Sequence, residues 1–257
     1  LETLLVSSLT RKQGPAAGLP PKADASVEEL VKHLKDFPVF SLDTPHFTDH
    51  DTVLLAAARR SHPETAQRLI TILLGAGASV SKVDRKGRGA VWFAAANGHS
   101  DLIDLLVGTH FADVRAADYQ GMTPLHSAAH YRNADTVSLL LRLGGQTKAA
   151  SKDKGLRALD MVRQAGGSGS AVESALLVLD ACVRKRDWEQ LKSLIEVGAL
   201  EVDDETESRF GGRTALIQAS MDHDDDAIRT LLALRPDVNH VSSVSGETAL
   251  FALIAHA

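Results

Sequence analysis

Small and apolar residues recur along this 257-residue chain at the spacing of short helices, and the predicted helices come in pairs. In the clearest pair, residues 90–96 are rich in alanine, residues 102–106 carry larger aliphatic side chains, and Gly98 separates the two. Small side chains allow two helices to pack closely, and glycine allows the chain to end one helix and turn back. The pattern therefore predicts repeated units, each with a small-residue inner helix and a larger-residue outer helix.

These units recur with a constant period. Glycines stand 34 residues apart at Gly87, Gly121 and Gly155, and again at Gly212 and Gly246. A sustained period of this length is typical of helical-repeat proteins, in which each unit buries its apolar face only against its neighbours. The chain is therefore predicted to be a helical solenoid rather than a globular enzyme fold.

The period is interrupted once. After residue 162 the expected outer helix is missing, and residues 166–170 read Gly-Gly-Ser-Gly-Ser, which is the composition of a flexible linker. We favour an engineered splice here, with a natural surface loop as the alternative. The predicted organisation is an N-terminal helix with a Pro/Gly linker, a capping helix with the first repeats, the Gly/Ser linker, and C-terminal repeats that stop inside a new unit, at residues 1–21, 22–165, 166–170 and 171–257.

One stretch identifies the type of repeat. Residues 118–129 contain Gly-Met-Thr-Pro-Leu-His followed by small residues, and this stretch closely resembles the opening of an ankyrin repeat. Tetratricopeptide repeats share the 34-residue period, but this motif points away from them. The resemblance extends over about residues 51–257. It implies an all-α fold: an ankyrin-repeat solenoid of helix pairs with short β-hairpin turns and an N-terminal capping helix.

The same resemblance implies structural roles within the motif. Thr123 should cap the inner helix, and His126 should bridge backbone groups of adjacent turns. The preceding unit departs from the motif at Gly89 and Trp92 and lacks its proline. Its capping bonds are therefore in doubt, and Trp92 is expected to bury its ring while its indole N–H bonds to a partner.

Composition and charge argue against several other functions. The formal net charge of -5 at pH 7 gives the chain no electrostatic reason to bind nucleic acid or an acidic membrane. No apolar run approaches the roughly 18 to 20 residues that span a bilayer. The single cysteine, Cys182, excludes an internal disulfide and favours a reducing compartment, so a cytoplasmic or nuclear protein is expected.

Catalytic and metal sites are not indicated either. The 11 histidines lack the spacing of metal ligands, and no His-Glu-x-x-His or phosphate-binding glycine motif is present. Cys182 occupies a small-residue position of an inner helix, where it should behave as a compact apolar side chain. The acidic segment 222–226 lies at the start of an outer helix, where negative charge is stabilising. We therefore predict no enzyme activity, no cofactor and no metal.

Ankyrin-like domains bind through hairpin tips and inner helices, and the resemblance transfers these positions to this chain. The residues so predicted to contact a partner are Arg85, Lys86, Arg88, Phe93, Asn97, Tyr119, Gln120, Met122, Ser127, His130, Tyr131, Lys154 and Met161. Tyr119, Tyr131, Met122 and Phe93 are the favoured anchors, because few interface residues carry most of the affinity. Arg85 and Lys86 would steer an acidic segment of the partner.

The predicted function is non-catalytic recognition of a protein or peptide, with no nucleic acid partner and no membrane insertion. Two alternatives remain open. In the first, the array is a regulatory or substrate-recruiting domain of a larger multidomain enzyme or channel. The second, less favoured, is a reader of modified lysine, in which Trp92, Phe93, Tyr119 and Tyr131 surround the cation.

Overall fold

The computed structural model describes residues 42–45, 51–152, 155–166, 170–207 and 211–255. The helices predicted before residue 38, the capping helix among them, lie outside the described residues, as do Lys154 and the linker residues 167–169. The described residues form α-helices and no β-strand, and an isolated antiparallel bridge joins Glu205 and Thr214.

The helices alternate between inner and outer members of successive pairs. They are α1 Val53–Ala58, α2 Pro63–Gly75, α3 Ala90–Asn97, α4 Ser100–Asp104, α5 Pro124–His130, α6 Ala134–Arg142, α7 Ala158–Gln164, α8 Ala171–Leu176, α9 Val178–Lys185, α10 Trp188–Glu196, α11 Ala215–Met221, α12 Asp225–Leu232 and α13 Ala249–Ala255. A π-helical turn, Leu105–Thr109, follows α4. These elements confirm the all-α fold of paired helices that the periodicity predicts.

The chain divides into two compact units. The first holds the described residues up to Thr136 together with Ala150–Leu156, and the second holds Val137–Ala149 together with the described residues from Arg157 onward. In the first unit the inner helices α1, α3 and α5 pack side by side, while α2 covers α1 and α4 covers α3. In the second unit α11 packs on α12 and α13, and α9 packs on α10.

Alanine makes the close packing of the first unit possible. Ala57, Ala94 and Ala128, one on each inner helix, are completely buried. The outer helices contribute larger side chains, such as Ile70 and Leu102, which are also buried. A longer side chain at the alanine positions would force the helices apart, since protein interiors leave few voids.

The start of α5 depends on a buried histidine. His126 is 0% exposed, and its Nδ1 atom accepts hydrogen bonds from the N–H of Thr123 at 3.2 Å and from the Thr123 hydroxyl at 2.8 Å. Its Nε2 atom donates to the carbonyl oxygen of Leu156 at 3.1 Å. The ring therefore joins the start of α5 to the following turn, which confirms the structural role that the sequence motif implies.

Threonine caps recur elsewhere, with one exception. The hydroxyl of Thr52 accepts from the N–H of Leu55 at the start of α1, and the hydroxyl of Thr214 accepts from the N–H of Ile217 at the start of α11. Gly89 directly precedes α3 and provides no side-chain cap. The doubt that the sequence raises about the capping of this unit is therefore confirmed.

One prediction about the fourth unit is wrong. The sequence indicates no outer helix after residue 162, but α8 begins directly after Ser170 and packs on α7. The Ser170 hydroxyl accepts from the N–H of Glu173 at 3.2 Å and so caps this helix. A helix of six residues is too short to give a clear periodic signal, yet it is long enough to cover α7.

Candidate protein-interaction surface

Two buried aspartates build the hairpin tips of the first unit. Oδ1 of Asp84 accepts hydrogen bonds from the N–H groups of Lys86 and Arg88, both at 2.9 Å. Asp118 repeats the arrangement one period later, accepting from two N–H groups of its own turn at 2.9 and 2.8 Å. Aspartate favours such turns because its carboxylate bonds to the backbone two residues on. The fixed backbone gives the tip side chains defined directions.

Adjacent tips are also bonded to each other. The N–H of Tyr119 donates to the carbonyl of Lys86 at 3.0 Å, and the N–H of Lys152 donates to the carbonyl of Gln120 at 2.7 Å. Gly87 has a φ of 83°, and a Cβ atom added there would stand 2.7 Å from Cδ1 of Tyr119. The ring of Tyr119 therefore lies across the backbone of Gly87, in space that only glycine leaves open.

The two tyrosines are exposed on rigid supports. Tyr119 is 67% exposed at its tip, and Tyr131 is 54% exposed directly after α5. The ring of Tyr131 meets His130 edge to face, with 5.0 Å between the ring centroids. The seven residues of α5 span about 10 Å, so the two rings stand at opposite ends of this helix.

A cluster of arginines and aromatic rings lies at the start of α3. The guanidinium carbons of Arg59 and Arg88 stand 4.4 and 4.9 Å from the centre of the Phe93 ring. Arg88 also lies 5.0 Å from the centre of the Trp92 ring, and the two aromatic rings meet edge to face at 5.3 Å. Phe93 is only 6% exposed as a result. The favourable faces of these rings are already occupied by cations of the protein itself.

Asp84 holds these arginines in place. Its Oδ2 atom accepts from Nη2 of Arg88 at 2.6 Å, from Nε of Arg88 at 2.9 Å and from Nη2 of Arg59 at 2.9 Å. Arg59 also contacts Asp51 at 3.0 Å. Burial of Asp84 acts to raise its pKa, but the hydrogen bonds from Arg88 and from backbone N–H groups outweigh burial, and the net result is a lowered pKa.

The lowered pKa of Asp84 predicts an acid-sensitive contribution to the stability of the first unit. The folded pKa lies below the unfolded value of about 3.9, so the carboxylate stabilises the fold above that pH and the contribution is lost as pH falls through the folded pKa. The urea midpoint of the wild type should exceed that of Asp84→Asn at about pH 7 and about pH 5. The difference should close below about pH 3.9. A constant difference down to acid pH would contradict this role.

The other predicted contact residues differ widely in exposure. Arg85, Lys86, Gln120 and His130 are exposed, and Met122 is half-buried. Met161 is half-buried on α7 and belongs to the second unit. The exposed members all belong to the first unit.

Two predicted contact residues also hold the scaffold together. Ser127 is buried, and its hydroxyl donates to the carbonyl of Trp92 at 3.3 Å. Asn97 is exposed, but its side-chain N–H groups donate to the carbonyls of Ala58 and Arg60 at 3.2 and 3.3 Å. Ser127 is only 1% exposed in this conformation, whereas Asn97 remains exposed.

The prediction for the Trp92 indole N–H is wrong. Its ring is partly buried as expected, but Nε1 is buried without a hydrogen-bond acceptor among the described residues. The ring instead packs against Phe93 and under the Arg88 guanidinium. These contacts bury the indole, and its N–H finds no acceptor in the part of the chain that the structure describes.

The four aromatic rings do not form a cage for modified lysine. Phe93 is buried beneath arginines, and Tyr131 stands with His130 at the far end of α5 from Tyr119. A cage requires several ring faces to surround one cation. We therefore abandon this alternative.

Sequence reasoning missed two residues that position the surface. Arg59 reaches Asp84 across 25 residues of chain. Asn133 donates to the carbonyls of Ala95 and Ala96, both at 2.9 Å, and so joins the loop after α5 to the end of α3. Asp51 stands one repeat before Asp84 and marks the equivalent turn, but no local pattern shows that Arg59 reaches both carboxylates.

The second unit confirms two structural predictions. Cys182 is buried, and burial raises the pKa of its thiol to about 11, so it is a compact apolar side chain at neutral pH. Asp224, in the acidic segment, accepts from the N–H of Ala227 and from the indole N–H of Trp188, both at 3.0 Å. This segment therefore caps α12.

Among the described residues, no group of three or more His, Cys, Asp or Glu side chains is arranged to hold a metal ion. Within the same residues, no helix is both long and apolar enough to cross a bilayer.

Paired helices joined by aspartate-built turns define the molecule as a helical-repeat protein. Residues 66–153 match the family described as Ankyrin repeats (3 copies). Within these residues the chain contains ankyrin repeats, and they include both hairpin tips and the helices α3 and α5 described above.

Three relatives of this chain are longer proteins. Alpha-latrotoxin-Lg1a of Latrodectus geometricus is 36% identical over 127 residues, covering 48% of this chain and 9% of that protein. NF-kappa-B inhibitor zeta of Homo sapiens is 27% identical over 216 residues, covering 81% of this chain and 25% of that protein. E3 ubiquitin-protein ligase XBAT33 of Arabidopsis thaliana is 31% identical over 160 residues, covering 58% of this chain and 30% of that protein. The chain thus spans less than a third of the length of each.

Proposed function

We propose that this chain is a non-catalytic module that binds a partner protein or peptide through the hairpin tips and inner-helix surface of its first unit. Ankyrin repeats are generally protein-interaction modules, and their relatives are mostly non-catalytic. The observation that carries the proposal is Tyr119, which is 67% exposed although its backbone and ring are held by Lys86 and Gly87. A large aromatic side chain presented rigidly binds at low entropic cost.

Charge favours a partner with an acidic segment. Arg85 and Lys86 are exposed at the first tip, next to Tyr119 in the second. Arg88 is held by Asp84, so it contributes to the shape of the surface more than to its charge. Exposed cations at the rim of an interface mainly accelerate the encounter with an acidic partner. We further propose a cytosolic or nuclear location, which suits a reduced, buried Cys182.

Substitution of both tyrosines tests the placement of the surface. Tyr119→Ala with Tyr131→Ala should weaken binding of a partner, isolated on the immobilised chain, by more than about 2 kcal/mol, or about 30-fold in Kd. The matched control is Phe111→Ala, because Phe111 is an 88% exposed aromatic residue outside the proposed surface. Titration calorimetry with the same partner measures all three proteins.

The control decides between the outcomes. Loss of affinity in the tyrosine double variant with wild-type affinity in Phe111→Ala supports the proposed surface. Unchanged affinity in the double variant refutes it. Equal losses in both variants would also refute it, because exposed aromatic area in general would then be responsible.

A second candidate function is a recruiting or regulatory domain within a larger enzyme or channel. The observation in its favour is the similarity to an E3 ubiquitin-protein ligase, of which this chain covers 30%. In this role the same tips would bind the substrate or regulator of the attached domain. The complete transcript tests it: a catalytic or membrane domain encoded in the same reading frame supports the role, and a reading frame without one refutes it.

A further inference from the structure

The inner helix α13 in the second unit presents an apolar face to solvent. Leu250, Phe251 and Ile254 are 66%, 58% and 69% exposed, while Ala249 and Ala252 are buried. All seven residues of this helix are apolar. A helix that is apolar all round is typical of a buried position, because a solvent-facing stripe usually carries polar side chains. The exposed face of α13 is therefore suited to contact with another element.

The repeat one period earlier shows how the same positions are covered. Counting back from the three exposed residues by the spacing of the glycines leads to Leu216, Ile217 and Ser220 on α11. These residues are only 5%, 1% and 3% exposed. The outer helix α12 and the next inner helix, α13, both pack on α11. Among the described residues, no outer helix stands beside α13 as α12 stands beside α11.

The outer helices of this chain show what kind of helix fits beside an inner one. The helices α2, α4, α10 and α12 each cover the inner helix before them. Their buried aliphatic side chains are Leu69, Ile70 and Leu73 on α2, Leu102, Ile103 and Leu106 on α4 and its π-helical turn, Leu191 and Leu194 on α10, and Ala227 and Leu231 on α12. Such spacings place the side chains on one stripe of each helix. An inner helix is thus covered by aliphatic residues at i and at i+3 or i+4.

We infer that the exposed face of α13 binds an amphipathic helix of a partner protein, in the place that α12 takes beside α11. The partner helix carries aliphatic side chains at i, i+3 and i+4, and this stripe covers Leu250, Phe251 and Ile254. No residue of α13 is charged, so burial of apolar surface provides the affinity. An extended peptide fits less well, because its side chains alternate between two sides and fewer of them reach the face.

A second copy of this chain is a less suitable occupant. The outer helices named above already bury their aliphatic stripes against their own inner helices. Among the described helices, only α13 itself exposes three large apolar residues. Contact between two copies of α13 would pair two inner helices and leave the outer position beside each one empty. The inference does not depend on the proposed function of the first unit, because it concerns other residues and another kind of ligand.

A designed helix provides the test. The probe is a blocked peptide of about 18 residues, long enough to form a helix, with leucines at i, i+3 and i+4 on a background of alanine, glutamate and lysine. A control peptide has the same composition with its leucines distributed around the helix. Each is titrated into the methyl-labelled chain, and the signals of Leu250 and Ile254 are followed by NMR. The probe should shift both signals and bind at least about tenfold more tightly than the control, since burial of one large apolar side chain contributes about that factor.

Variants locate the binding on α13. Phe251→Ser should weaken binding of the probe about tenfold. The matched control is Val241→Ser, which should leave it unchanged, because Val241 is 55% exposed in the same unit but lies in the loop before α13. Sedimentation of the chain without peptide should give the same mass for the wild type and for Phe251→Ser.

Four results would overturn the inference. The probe might shift neither methyl signal, or the control peptide might bind as tightly as the probe. Phe251→Ser might bind the probe no more weakly than Val241→Ser does. A larger mass for the wild type than for Phe251→Ser would show that a second copy of the chain occupies the face.

Discussion

Replacement of His126 by alanine should cost the first unit about 3 to 4 kcal/mol of unfolding free energy. The side chain is 0% exposed and bonds to both Thr123 and Leu156, so its removal leaves a cavity and deprives buried backbone groups of their partners. The glutamine side chain of His126→Gln has a similar length and keeps one donor and one acceptor. This variant should therefore lose less unfolding free energy than His126→Ala.

Urea unfolding followed by NMR checks this expectation. Trp92 lies in the first unit and Trp188 in the second, so their indole N–H signals report the two units separately. His130→Ala is the matched control, because His130 is exposed on the same helix and its loss should change stability by no more than about 0.5 kcal/mol. Similar costs for His126→Ala and His130→Ala would contradict the structural role of His126.

The second large effect is expected at Arg163, whose loss should destabilise the second unit by about 3 kcal/mol. Its Nε atom donates to Glu173 at 2.8 Å, while Nη1 and Nη2 donate to the two carboxylate oxygens of Glu207 at 2.6 and 2.8 Å. The Glu173 side chain is only 5% exposed. Arg163→Leu therefore leaves a buried carboxylate without its guanidinium, and it detaches α8 from the segment that contains Glu207.

A neighbouring ion pair supplies the control for Arg163. Arg157, which directly precedes α7, pairs with Asp160 in the first turn of that helix, and their side chains are 47% and 30% exposed. Arg157→Leu should cost less than about 1 kcal/mol, because exposed ion pairs contribute little. Adding Glu173→Gln to Arg163→Leu should restore stability, since it removes the buried charge. The Trp188 signal reports the unfolding of the second unit. If the double variant unfolds at the same urea concentration as Arg163→Leu, the buried charge of Glu173 is not the cause of the loss.

The parts of this fold that repeat were predictable from sequence. Glycine spacing and alanine-rich stretches indicate the helix pairs, because close packing restricts those positions to small side chains. The motif around His126 likewise predicts a bond between turns, since its atoms act within one repeat and the next. The positions of Tyr119 and Tyr131 at the surface were also predictable, because their places relative to α5 follow from the repeat.

Features that depend on long side chains or on unique segments were not predictable. Arg59 contacts Asp84 and Phe93 because of how α1 and α3 pack, and no local pattern specifies where a flexible guanidinium ends. The chain also reverses after inner helices at Arg132 and Arg186, with φ of 62° and 58°, where glycine would be expected. Glycine therefore marks the period of this chain without marking every turn.

Hydrogen–deuterium exchange of the partner complex shows which surface of the first unit recognises the partner. We predict that partner binding slows exchange at residues 85–88, 119–122 and around Tyr131, with no change along the outer helices α2 and α4. Protection confined to the outer helices, with unchanged exchange at both hairpin tips, would contradict the claim that the first unit recognises its partner through this surface.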